Sequence, residues 1–230
     1  MALIDIEIPD WSIDLVYGNT GSGKSYFAGW LIEQAYEQDR DFVVLDTKVK
    51  NHVGLVQLKG VKLLKIKPGV KYNLRKVVDY DKLLVIPTKK MPVTTLIERY
   101  YKPILRYLFD YDRDKIVVIE EAHRYNYSSR RAGEEIEQLF REGRSQKLYT
   151  IAITQSIADF PKLLFRQAQR HFIFRHYIPN DLFYLNKMIP DFEELNNQLR
   201  QHDVLEFDPK RMKYRIIKRE FIIRRTRHYG

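Results

Sequence analysis

The stretch "IDLVYGNTGSGKSYFAGWLIEQAYEQ", Ile13 to Gln38, decides how this chain folds. Its first part, "IDLVYG" (13–18), reads as a short buried strand. Its last part, "KSYFAGWLIEQAYEQ" (24–38), reads as a helix, with Phe27, Leu31 and Ala35 at i, i+4 spacing and Trp30 beside them. Between the two lies "GNTGSGKS", which fits G-x-x-x-x-G-K-[ST] with Gly18, Gly23, Lys24 and Ser25 at the defined positions. Glycines allow torsions that aim successive backbone N–H groups inward and build a concave anion site. The helix N-terminus adds its dipole. The loop Gly18, Asn19, Thr20, Gly21, Ser22, Gly23 and the first helical residues Lys24, Ser25 and Tyr26 are therefore the expected seat of a polyphosphate. Lys24 is expected to reach the β- and γ-phosphates, and the Ser25 hydroxyl to ligate Mg²⁺.

A second stretch, "KIVVIEEAHR" (115–124), runs an apolar β-branched strand into two adjacent glutamates, Glu120 and Glu121. Neighbouring carboxylates at a buried strand end repel each other and lose hydration, and both effects raise their pKa. Mg²⁺ and Lys24 are the positive charges expected to offset this. In phosphate-loop enzymes a strand ending in an acid faces the phosphate loop. Glu120 is then the metal ligand, through water, although the usual residue is an aspartate one methylene shorter. Glu121 is the group that orients or deprotonates the attacking water. His123 has no second ligand at helical spacing, so a metal centre there is not expected.

The remainder reads as alternating strands and helices. Strands are expected at 42–46, 61–67, 82–87, 148–154 and 170–176, and helices at 132–144, 161–168 and 191–201, with a helix at 93–111 that Pro103 kinks or splits. Residues 203–223 read as a terminal β-hairpin. The expected fold class is α/β: a RecA-like phosphate-loop core with a mainly parallel sheet, helices on both faces and a C-terminal basic β-hairpin. Residues 1–202 form the core and 203–230 the basic hairpin or tail, in a single domain overall.

The 230-residue chain has no cysteine, which excludes disulfides, thiolate metal sites and cysteine nucleophiles. No uncharged apolar run approaches the roughly 20 residues that span a bilayer, and the acidic N-terminus is unlike a signal peptide. Of the net charge of +10, a net +8 sits in residues 209–230, which hold nine lysines and arginines against Glu220. Such asymmetry suggests a polyanionic partner. The stretch "HRYNYSSRR" (123–131) mixes Arg124, Arg130 and Arg131 with Tyr125 and Tyr127, a composition that suits a nucleic-acid strand. The loop "KVKNHVG" (48–54) is a weaker candidate for the same role.

One more stretch narrows the reading. In "FREGRSQKLYTIAITQS" (140–156) an arginine-bearing helix end leads into an apolar strand that finishes in Thr154-Gln155. Together, "GNTGSGKS", "VLDTK", "VVIEEAH" and "REGR…TQ" resemble, in order and spacing over about Leu15 to Arg175, the HerA/FtsK superfamily of DNA-pumping ATPases. The resemblance implies that Gln155 senses the γ-phosphate and that Arg144, or Arg141, acts in trans on a neighbour's nucleotide. It implies ATP and Mg²⁺ as cofactors, double-stranded DNA as partner, and a homo-oligomeric ring, a hexamer. Asp46 in "VLDTK" matches a family position, as a structural cap or a water-positioning group.

The minimal core is similar to genome-packaging ATPases of icosahedral DNA viruses with an internal membrane. That likeness implies the cytoplasm of a host cell or the virion as location, and a capsid-vertex or internal-membrane protein as a further partner. Host or plasmid DNA-processing or conjugation translocases, filamentous-phage-type assembly ATPases and a nucleotide-gated binding module without turnover are the alternatives.

Overall fold

The computed structural model describes residues 6–110, 114–128 and 130–229. β1 (Ile13–Tyr17) feeds the phosphate loop and α1 (Lys24–Glu37). β2 (Phe42–Leu45) follows, then a 3₁₀ turn (Val53–Gln57), β3 (Lys62–Ile66), α2 (Leu74–Val77) and β4 (Lys82–Pro87). α3 (Val93–Leu96) passes through a π-helical turn (Ile97–Tyr101) into α4 (Lys102–Phe109). β5 (Lys115–Ile119), a 3₁₀ turn (Ala122–Tyr125), α5 (Glu134–Glu142) and β6 (Leu148–Thr154) complete the central section. α6 (Lys162–Gln167), β7 (Arg170–Phe174), α7 (Pro179–Met188), α8 (Phe192–Gln198), β8 (Val204–Asp208) and β9 (Lys213–Ile217) lead to a 3₁₀ turn (Arg219–Phe221).

All nine strands belong to one sheet in the order β3-β4-β2-β5-β6-β1-β7-β8-β9. β3 to β7 of that order pair in parallel, and β8 and β9 add an antiparallel edge. This is the RecA-like α/β fold expected from the sequence. Parallel strands send their C-terminal ends to one edge, where loops gather and ligands bind. Register places Tyr17 opposite Thr154, Ala152 opposite Ile119, and Ile119 opposite Leu45. Gly18, Gln155, Glu120 and Asp46 are the next residues along, so all four leave the sheet at that edge.

Side-chain alternation splits the core between the two faces. Leu15, Tyr17, Val43 and Val117 pack under α4 to α8 on one face. Val16, Val44, Val118 and Ile151 pack under α1 on the other, where Leu55, Ile217 and Ile222 help cover the sheet. The 93–111 helix was expected to kink or split at Pro103. The chain divides it into α3, a π turn over Ile97–Tyr101 and α4, which starts at Lys102 just before Pro103. Proline lacks an N–H and crowds the carbonyl four residues back, and a widened turn relieves both. Tyr111, the last residue of that expectation, lies outside the described residues. Helix α7 was not expected.

The basic tail packs on the core. Only β8 and β9 form the hairpin. Beyond the 3₁₀ turn the chain runs irregularly along α1. The Glu33 carboxylate, on the buried side of α1, accepts from Arg224 Nε (3.0 Å), the backbone N–H groups of Arg225 (2.6 Å) and Thr226 (3.2 Å), and the Thr226 hydroxyl (2.6 Å). Arg211, Arg215, Lys218 and Arg225 pair with Asp208, Glu206, Asp203 and Glu37. Most of the tail's charge is thus turned toward acids of its own subunit.

Candidate active site

The phosphate loop is built as its glycines require. Gly23, with φ 104°, precedes the first helical residue in a conformation that a side chain rarely adopts. A Cβ at Gly18 would lie 2.6 Å from Phe174 Cβ, so bulk there is excluded by the neighbouring strand. Ser22 N–H donates to Asn19 O and Phe27 N–H to Gly23 O, which closes the loop onto α1. His202 Nδ1 lies 2.9 Å from Ser22 O, and Asn19 Nδ2 reaches Arg175 O at 3.5 Å. Lys24 is buried and donates to Gly18 O and Asn19 O, both at 2.7 Å. Burial lowers its pKa to about 8 against the pull of Glu120 and Glu121. An ammonium held, among the described residues, by carbonyls of its own loop is placed to gain from an anion.

β6 lies between β1 and β5 in the sheet, and this order sets the middle of the site. Gln155, at the end of β6, faces the loop on one side and the acids on the other. Its Oε1 accepts from Thr20 Oγ1 (2.9 Å), and its Nε2 donates to Glu121 Oε1 (2.6 Å). Glu121 sits in the left-handed region (φ 54°) at the turn after β5, a conformation that costs a non-glycine residue about 1 kcal/mol. That strain turns its carboxylate to Gln155 and to Lys48 Nζ at 3.4 Å. Glu121 Oε2 is buried and makes no hydrogen bond among the described residues, although His123 Nε2 lies 3.4 Å and Arg124 Nε 3.9 Å from it; its lone pairs can still take a proton.

Glu120 shows a partner that sequence reasoning missed. Its Oε1 is 2.7 Å from His52 Nε2, with both side chains buried. Burial opposes its charge. The hydrogen bond and attraction of His52, the Ser25 hydroxyl and Lys48 outweigh this and hold its pKa below the ordinary carboxylate value. His52 is fixed by Asp46, whose carboxylate accepts from the N–H groups of Lys48 (2.8 Å) and His52 (3.0 Å). Asp46 therefore caps the loop 46–52, the first of the two roles considered for it. Its own pKa is raised to about 7, because desolvation exceeds the pull of His52.

The loop 48–54 was a candidate for nucleic-acid contact. Lys48 and Lys50 are exposed, while Asn51 and His52 turn inward and Asn51 Nδ2 reaches Ser25 Oγ at 3.2 Å. The only sequence signal for His52 was a histidine within reach of a strand-end aspartate.

The loop, the acids, Gln155 and Tyr26 line one cavity of about 800 Å³. Part of the rest of its wall comes from far along the chain: His202, Arg219, Glu220, Ile222 and His228. Ser25 and Glu120 adjoin at its floor. Mg²⁺ takes one or two protein ligands plus phosphate oxygens and water, so a hydroxyl and one carboxylate with a depressed pKa fit that ion.

Arg141 and Arg144 are not in this cavity. They precede β6, at the opposite edge of the sheet, where Arg144 lies over the Trp11 ring (5.6 Å) and Arg141 pairs with Glu137. With Trp11, Arg166 and Lys210 they line a second cavity of about 420 Å³. β6 is seven residues long, roughly 23 Å at strand rise, so neither arginine reaches the nucleotide edge of its own subunit.

Of the residues expected to touch nucleic acid, Arg124, Arg130 and Arg131 are exposed. Tyr125 is a correction: its ring is fully buried, because the 3₁₀ turn after Glu121 rolls it under the sheet into the core. Tyr127 is the exposed tyrosine of that loop, with Arg131 4.8 Å from its ring centre.

A family model described as the central domain of the helicase HerA matches residues 15–219. The chain belongs to the HerA central-domain family. Among curated proteins, none matches it. Its fold is similar to that of the genome packaging NTPase B204 from Sulfolobus turreted icosahedral virus 2 in complex with ATP-gammaS. There the TM-score is 0.72 and the identity 19%, over 92% of this chain and 98% of that one. The complex of B204 with AMPPCP gives 0.71 and 19% over 91% and 98%. The bacterial conjugative coupling protein TrwBΔN70 gives 0.65 and 10% over 85% and 82%. Membership in the HerA family makes this a HerA/FtsK-type phosphate-loop ATPase. Among the described residues no helix is long and apolar enough to cross a membrane.

Proposed function

We propose that this chain hydrolyses ATP with Mg²⁺ in a ring of identical subunits, a hexamer, and uses the energy to translocate double-stranded DNA as a viral genome-packaging motor. One observation carries the hydrolytic part: Gln155 bonds the phosphate loop through Thr20 and the acid Glu121 at once. In this reading Lys24 gives up its loop carbonyls for the β- and γ-phosphates. Ser25, and Glu120 through water, would hold Mg²⁺, which would neutralise charge on the phosphates. Glu121 accepts the proton of the attacking water through Oε2, which His123 and Arg124 approach without a hydrogen bond, and Gln155 positions that water beneath the γ-phosphate. Arg144, with Arg141 beside it, serves the neighbouring subunit's nucleotide, since the far edge of the sheet bars it from its own.

Support for DNA as cargo comes from family membership and from B204, described as a DNA-packaging ATPase in a structure that is 18% identical with a TM-score of 0.70. Arg124, Arg130 and Arg131, with Tyr127, form the candidate strand contact next to Glu121. The host-cell cytoplasm or the virion is the location this role requires, with a capsid-vertex or internal-membrane protein as docking partner. A conjugation-type translocase is the second reading, favoured by the likeness to TrwB.

The test is steady-state ATP hydrolysis with and without linear double-stranded DNA, with Glu121→Gln as the blank. Several-fold stimulation absent in the blank is the expected result. Hydrolysis indifferent to DNA overturns the translocase reading.

A further inference from the structure

The cavity has more wall than a phosphate site needs. Glu120, Glu121 and Gln155 mark the γ-phosphate end, so a nucleoside triphosphate lying along Gly18–Ser25 must project its nucleoside away from them. Part of the cavity wall beyond the phosphate loop is a short strap of the C-terminal segment. The strap is tied at two points. Asp203, itself buried, accepts from the Arg219 N–H (3.0 Å) and Lys218 Nζ (3.2 Å). Glu33 accepts from Arg224, Arg225 and Thr226. Glu220 to Ile223 are strung between these anchors, and Arg219, Glu220 and Ile222 face the cavity.

Tyr26 also lines the cavity, beside the strap, and the same segment holds it in place. The Arg224 N–H donates to its hydroxyl (3.3 Å), the Arg224 guanidinium lies 5.7 Å from its ring centre, and His228 meets it edge-on at 5.4 Å. An aromatic ring and a branched aliphatic side chain, with a carboxylate and a guanidinium alongside, suit a planar base that carries exocyclic donors. The whole cavity, about 800 Å³, falls in the range of roughly 300–1,000 Å³ that holds a complete cofactor-sized ligand.

We infer that Arg219, Glu220 and Ile222, strapped across the cavity by Asp203 and Glu33, form with Tyr26 the seat for the base and ribose of the bound nucleoside triphosphate. The inference rests on the ATPase reading, and its test separates the two. Binding of ATP and of inorganic tripolyphosphate, each with Mg²⁺, is measured by calorimetry for the native chain, Glu220→Ala and Ile222→Asp. The expected result is that Ile222→Asp weakens ATP roughly tenfold or more, the weight of one apolar wall lost from a base, with tripolyphosphate binding within about twofold of native. Glu220→Ala moves ATP in the same direction by less.

Equal losses for both ligands, or none for either, overturn the seat while leaving the phosphate site standing. A native chain that binds neither ligand overturns the ATPase reading and the seat with it. Amide exchange in the native chain needs no variant that must fold. ATP should protect residues 219–223 beyond what tripolyphosphate gives, and identical protection by the two ligands refutes the seat.

Discussion

A methyl group added at Gly29, in the middle of α1, sets two effects against each other. On propensity alone Gly29→Ala stabilises a helix interior by about 1 kcal/mol. In this fold the space beside Gly29 is filled by the Arg224 guanidinium: a Cβ would lie 2.4 Å from Arg224 Cζ and Nη1. A flexible arginine on a surface would swing aside at little cost. This one is buried and bonded through Nε to Glu33 and through Nη2 to Thr226, so displacing it leaves the Glu33 charge short of its partner inside the protein. Breaking a buried pair costs about 3–5 kcal/mol. The pair wins, and Gly29→Ala is expected to destabilise by about 2–4 kcal/mol, a fall in Tm of roughly 5–15 °C for a chain of this size. Denaturant unfolding read by tryptophan fluorescence gives the number. The control is the double variant: with Arg224→Ala the space is empty, and Gly29→Ala should then stabilise by about 1 kcal/mol relative to Arg224→Ala alone. A rise in stability from Gly29→Ala in the native background would refute the reasoning, because it would mean that the guanidinium is free to move.

Three other outcomes follow from the geometry. His52→Ala removes the donor to a buried carboxylate, so it should cost about 1–3 kcal/mol of stability and lower kcat while ATP still binds; His52→Gln should recover part of both, and an unchanged kcat in His52→Ala would remove His52 from the site's support. Arg144→Ala should lower hydrolysis by roughly 10³–10⁵ without weakening ATP binding, and mixing it with Lys24→Ala subunits should restore turnover that neither shows alone. Burial lowers the pKa of His171 to about 3 and that of His176 to about 4, the latter against the pull of Asp181. Both values lie below the unfolded value of about 6.5, so the unfolded chain binds more protons and stability is lost as pH falls below it, by about 2 kcal/mol per group at pH 5. Tm measured between pH 7 and pH 5 should fall accordingly, and His171→Phe should make the slope shallower.

The parallel core was legible because its signals are local. "LVYG", "FVVL" and "KIVVIE" are apolar runs with one reading at that length, and the glycines of 18–25 fit one kind of loop. Gln155 could be picked out because it ends a strand at a position that the family resemblance matches. What it bonds could not, since that depends on β6 inserting between β1 and β5, an order that no periodicity encodes. His52 and the tail were hidden for a related reason. A histidine in a polar loop and a run of arginines both look like solvated surface, and only the fold reveals Glu120 behind the first and Glu33 behind the second. Tyr125 failed in the opposite direction, because a turn of 3₁₀ helix rotated an aromatic from a basic loop into the core. α7 begins at Pro179 with Asp181 in its first turn, a helix-start signal that was present and passed over.

The clamp between Glu33 and Arg224 joins residues 191 positions apart. Contacts of such separation carry a large loop-closure entropy and form only after nearer ones have shortened the effective loop. α1 and the phosphate loop can therefore take shape early, from residues that lie together in sequence, while Glu33 stays hydrated on an open helix face. The pocket wall arrives last. A refolding experiment should see the phosphate loop become competent before the strap does, with two affinities for nucleotide separated in time.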